Sequence, residues 1–130
     1  MPWHLKLLLG LLLTTASASQ ANTVACHLTY GGETRTIEAA PTASPYSEVP
    51  IAIGSRLLFR LVNQAQAADL AAIKLYTYVD RDEGPVLIHQ TSYPLPPRTN
   101  DRYGFTGLHF VYEPVRDGEL QYWCELKDRP

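Results

Sequence analysis

From Thr23 onward the apolar residues recur at every second position in short runs, and no stretch keeps a 3.6-residue period long enough for a stable helix. A chain patterned this way buries one face of each run and must stack those faces against each other. Thr23 to Tyr30 alternates Val24, Cys26, Leu28 and Tyr30 with Thr23, Ala25, His27 and Thr29. Gly31-Gly32 supplies the positive φ of a hairpin, and Glu33 to Ala40 returns as its partner. Pro41 to Pro50 reads as a loop. Ile51 to Val62 reads as one core strand, bent or bulged at Gly54.

The residues from Asn63 to Leu70 favour helix but are too few to hold one, so a turn or a single helical turn is expected. Ala72 to Val79 places Ile73, Leu75, Thr77 and Val79 on one face and Lys74, Tyr76 and Tyr78 on the other. Asp80 to Gly84 makes the next turn and Val86 to Tyr93 a further strand. After a loop from Pro94 to Gly104, Phe105 to Tyr112 and Glu119 to Leu126 form a closing pair joined through Val115-Arg116-Asp117-Gly118. About seven short strands in one domain predict an all-β fold, a small antiparallel β-sandwich of immunoglobulin-like layout. Immunoglobulin cysteine spacing is absent, since Trp123 adjoins Cys124 instead of lying between two central cysteines.

The first residues read as an address. Lys6 leads into the apolar run Leu7 to Leu13, broken by Gly10, which is far shorter than the roughly 20 residues of a membrane span. Small residues then offer cleavage after Ala18 or after Ala21, and the second defines a signal peptide over 1–21 and one domain over 22–130. No further apolar stretch has the length of an anchor. The chain is therefore expected to be exported, to the periplasm in a Gram-negative host. Its formal net charge of −2, with both signs scattered, argues against nucleic acid as a partner. In an oxidising compartment the only two cysteines, Cys26 and Cys124, are expected to form a disulfide. Pattern leaves open whether it joins neighbouring strands or facing sheets.

Motifs for catalysis are missing. Ile53-Gly54-Ser55-Arg56-Leu57 lacks the second glycine of a nucleophile elbow. The cluster Asp80-Arg81-Asp82-Glu83-Gly84 departs from a calcium loop, because Thr91 stands where a closing bidentate Glu belongs. No cofactor is implied and no enzyme activity is expected. One metal hypothesis remains: His27, His89 and His109 each lie in a predicted strand, and imidazoles from distant strands can meet around Zn²⁺ or Cu²⁺.

Aromatic side chains supply the better functional signal, because rings present large contact area at low entropic cost. Alternation turns Tyr76 and Tyr78 outward beside Lys74. The same rule sends Tyr112 inward with Leu108 and Phe110, and Tyr122 inward with Leu120 and Cys124. The Pro94 to Gly104 loop exceeds the usual four to six residues and carries Arg98, Arg102 and Tyr103. Lys74, Tyr76, Tyr78, Arg98, Arg102 and Tyr103 are thus the expected binding residues of a non-catalytic interaction module for a protein or peptide. The alternatives are a histidine metal-binder and an inhibitor or immunity protein acting through the loop.

Overall fold

Turn chemistry and alternation divide the described residues into eight strands. The computed structural model describes residues 23–100 and 102–127 together with Gly10 and Leu13, so the expected signal peptide, apart from those two positions, lies outside the described residues. The strands are β1 (Thr23–Tyr30), β2 (Glu33–Ala39), β3 (Ile51–Ile53), β4 (Leu57–Gln64), β5 (Ala72–Arg81), β6 (Gly84–Pro94), β7 (His109–Glu113) and β8 (Gly118–Lys127). They form two four-stranded antiparallel sheets, ordered β2-β1-β8-β7 and β3-β4-β5-β6. The all-β sandwich is as expected. Its strand order uses hairpins and a meander where immunoglobulin domains use Greek-key connections. Among the described residues no helix is long and apolar enough to cross a membrane.

The core lies between the sheets and is filled by the inward members of each alternation, among them Leu28, Phe59, Ile73, Leu75, Leu120 and Tyr122. Phe59 and Tyr122 meet edge to face across it at 5.2 Å.

Three expectations change. Ile51 to Val62 is two strands, because residues 54–56 turn the chain and pair Ile51 with Phe59 and Ile53 with Leu57. Gly54 has φ +60°, and a Cβ there would strike the Tyr30 ring, so glycine is what permits the turn. Asp80 and Arg81 belong to β5, opposite Pro85 and Gly84, and only residues 82–83 turn. Finally, Phe105 to Leu108 is irregular and β7 starts at His109. The helix-favouring segment resolves as a 3-10 turn at Ala68–Leu70 after β4 has run on to Gln64.

Cys26 and Cys124 are bonded, buried and directly opposite each other on β1 and β8, with Cα atoms 4.0 Å apart. The bridge therefore ties neighbouring strands within one sheet. It leaves no free thiol among the described residues.

Candidate functional site

An irregularity in β6 shapes the interior near the open edge of the sandwich. Opposite β5 the register passes from Val79–Val86 and Tyr78–Leu87 to Thr77–His89, leaving Ile88 as the extra residue of a bulge. Simple alternation from Val86, which pairs with the buried Val79, would turn His89 to solvent; the bulge turns it inward beside the buried Thr77. There His89 Nε2 shares a 2.8 Å hydrogen bond with the Tyr122 hydroxyl of the facing sheet. The Tyr93 hydroxyl of β6 shares one of 3.0 Å with His109 Nε2 of β7. His109 stacks on Tyr122 at 5.0 Å and lies 5.4 Å from His89. Two reciprocal bonds thus clasp the two sheets.

Burial pushes both imidazoles below the usual histidine range; the adjacent His109 adds to the effect on His89, and a backbone hydrogen bond at Thr106 opposes it on His109. Burial also raises the Tyr122 hydroxyl far above its ordinary value, and nearby Tyr93 adds to the rise. The two imidazoles and the Tyr122 hydroxyl are therefore neutral at neutral pH, which suits a polar core cluster. The Thr77 hydroxyl beside them is buried with no hydrogen-bond partner.

His27 takes no part. It lies opposite Trp123, on the outer face of the first sheet, stacks on that indole at 4.2 Å and bonds Glu125 at 2.9 Å and Thr36 at 3.2 Å. His109 stands opposite the inward Tyr122 and so occupies the other face. The sheet itself separates His27 from the other two, and the three-histidine centre does not form. Among the described residues no three of His, Cys, Asp or Glu gather as a metal site.

The expected binding residues divide between two surfaces. Lys74, Tyr76 and Tyr78 do share the outer face of the second sheet, where the two rings stack at 6.3 Å. They are half-buried and largely engaged: Arg60 lies over Tyr76 at 4.9 Å while donating to the Pro45 and Glu48 carbonyls, and Lys74 donates to Gln64 at 3.1 Å. Arg102 and Tyr103 instead sit over the first sheet. Gly104 bridges to Cys124, the Phe105 amide donates to the Cys124 carbonyl at 3.0 Å, and the Cys124 amide donates to Thr106 at 2.9 Å. This part of the loop runs alongside β8 where β7 has ended, and it lays Tyr103 edge-on against Trp123 at 6.1 Å with Arg102 over Tyr103 at 5.8 Å. Arg98 is exposed on the preceding stretch of the loop.

The inward placement of Phe110 and Tyr112 is reversed. Val111 and Glu113 are the buried positions of β7, with His109 on the same side, whereas Phe110 and Tyr112 are 52% and 59% exposed on the outer face. Alternation held, but its phase was inverted because polar side chains take the inner side. Each has a partner there: Glu113 accepts the amides of Val115 and Arg116 at 2.9 and 2.8 Å, and His109 meets Tyr93. The sequence signal was Val111 flanked by hydrogen-bonding residues in a strand closed by a turn. Trp123 lies on this same outer face, stacked on His27 and met edge to face by Tyr103.

A cavity of about 320 Å³ at the turn end of the sandwich is lined by Arg56, Arg81 and Arg116 together with Asp80, Asp82, Glu83 and Glu113. Its mixed charge selects no ion. Comparison with protein-family models, curated proteins and solved structures finds no match, and the geometry above carries the functional reading alone.

Proposed function

We propose that this protein is an exported, non-catalytic binding module whose partner, a protein or peptide, docks on the outer face of β7 and β8. The observation that carries this reading is the gathering of Tyr103, Phe110 and Tyr112, 41%, 52% and 59% exposed, on the face that bears Trp123. Since each ring is already about half covered, removing the remainder from water yields on the order of 1 kcal/mol per ring. The Tyr76 and Tyr78 pair is the weaker candidate, since Arg60 and Lys74 are already committed to groups of the protein itself. Export rests on the leader pattern and fits the buried disulfide.

The test is capture from the host's envelope or secreted fraction with immobilised protein. A specific partner should be retained by wild type and by a Tyr76→Ala, Tyr78→Ala control, and lost on Tyr103→Ala and on Phe110→Ala with Tyr112→Ala. Retention by those last variants would refute the assignment of the surface. Trp123 is the sole tryptophan once Trp3 leaves with the signal peptide, so its emission should shift when the partner binds.

The anchoring of Tyr103 and Arg102 on β8 favours one second reading, an inhibitor that presents a held loop to a secreted enzyme. In that case the captured partner is an enzyme whose activity falls on binding.

A further inference from the structure

Four strands end a sheet: β2 and β7 in the first, β3 and β6 in the second. An open edge offers unpaired backbone groups to any extended chain, and proteins blunt such edges with charge, proline, bulges or short strands. Three of the four are blunted. β2 exposes Glu33, Arg35 and Glu38; β3 has three residues, and Arg35 donates to its Ala52 carbonyl at 2.9 Å; β6 carries Pro85, Pro94 and the bulge at Ile88. β7 carries its devices only at its end, the inward Glu113 and the following Pro114, and leaves a Phe110-Val111-Tyr112 centre without charge, proline or bulge.

The ladder shows which β7 groups face outward. Both backbone groups of Cys124 point toward the β7 side, where they meet Phe105 and Thr106. Backbone direction alternates along a strand, so Tyr122 and Leu120 also point that way, and their partners His109 and Val111 spend their backbone groups on β8. Phe110 and Tyr112 therefore direct their N–H and C=O away from the sheet.

We propose that the β7 edges of two copies pair antiparallel about a two-fold axis at Val111. In that register Phe110 of each copy lies opposite Tyr112 of the other, and each such pair exchanges both backbone hydrogen bonds. The second copy is the occupant assigned because, under the two-fold, it supplies a matching aromatic at both facing positions. Aromatic meets aromatic twice on the outer face, a favourable cross-strand pairing. On the inner side His109 falls opposite Glu113 of the second copy, so no like charges face each other across the axis. Pro114 ends the strand directly after this segment, and the leader-processed chain, with Lys6 gone, keeps 10 basic residues against 13 acidic ones, a formal charge of −3 that opposes association only weakly. Phe110 and Tyr112 also serve the proposed partner-binding face, so the dimer is read by mass and the partner by capture, and Tyr103→Ala, which lies off the β7 edge, should weaken capture without changing the mass.

Light scattering on leader-processed protein over a concentration series tests the proposal. The wild type should reach twice the monomer mass. Phe110→Pro and Tyr112→Pro each remove an outward N–H and one ring of the pair while leaving the β7–β8 ladder its own donors, and Phe110→Asp with Tyr112→Asp sets carboxylates opposite each other across the axis. All should remain monomeric with wild-type circular dichroism; where a proline variant fails to fold, the aspartate pair decides. A wild type that stays monomeric throughout, or a dimer that survives in folded variants, overturns the proposal.

Discussion

His89 and His109 show what a single inward residue does to the whole protein's response to acid. Their folded-state pKa values lie below the ordinary 6.5, so between those two values the unfolded chain binds more protons than the native one. Stability from this source is complete above about pH 6.5 and is lost as pH falls through the lowered values. Protonation would also set two positive rings 5.4 Å apart beside the bonds to Tyr122 and Tyr93. Urea midpoints measured from pH 7.5 to 5 should fall for the wild type and fall less steeply for His89→Gln, which keeps a hydrogen-bonding group but does not titrate. Equal slopes would show that the clasp is not the acid-sensitive part.

At the scale of elements, the segment between β6 and β7 is less a free loop than an extension of the sheet edge. Its contact depends on Gly104, which has φ +61° and whose hypothetical Cβ would collide with the Cys124 carbonyl. Gly104→Ala is expected to cost on the order of 2–3 kcal/mol through the left-handed backbone and the clash. It should also release Tyr103 from Trp123, seen as a change in the indole emission of the folded protein. An unchanged melting temperature and spectrum would mean that the close approach is dispensable. Other elements were legible to different degrees. β1, β2 and β8 could be read almost to the residue, because their alternation and turn residues are local properties. β3 and β4 could not be separated, since the turn at Gly54 differs from a bulge only in whether the chain pairs back on itself.

For the molecule as a whole, the disulfide is the main covalent constraint. It joins positions 98 residues apart and makes β1 and β8 central neighbours in their sheet. The chain-entropy model puts its contribution near 4 to 5 kcal/mol, an upper figure because the unfolded chain retains some structure. Cys26→Ala with Cys124→Ala should therefore lower the unfolding free energy by several kcal/mol and shift the urea midpoint strongly downward. An unshifted midpoint would mean that the sheets hold the ends together without the bridge.

The sequence by itself determined that this protein is built of short strands, roughly where most of them lie, and that its two cysteines belong to the first and last of them. These are consequences of period-two burial and of turn residues acting within a few positions of one another. Only the tertiary structure decided which rings share a surface. The bulge at Ile88, set by pairing with β5, turned His89 inward, and the partners waiting for His109 and Glu113 turned Phe110 and Tyr112 outward. Tyr76 and Tyr103 were parted in the same way, because assignment to one sheet or the other depends on pairing between strands distant in sequence. Alternation specifies two sides of a strand; the pairing of sheets specifies which side is the inside.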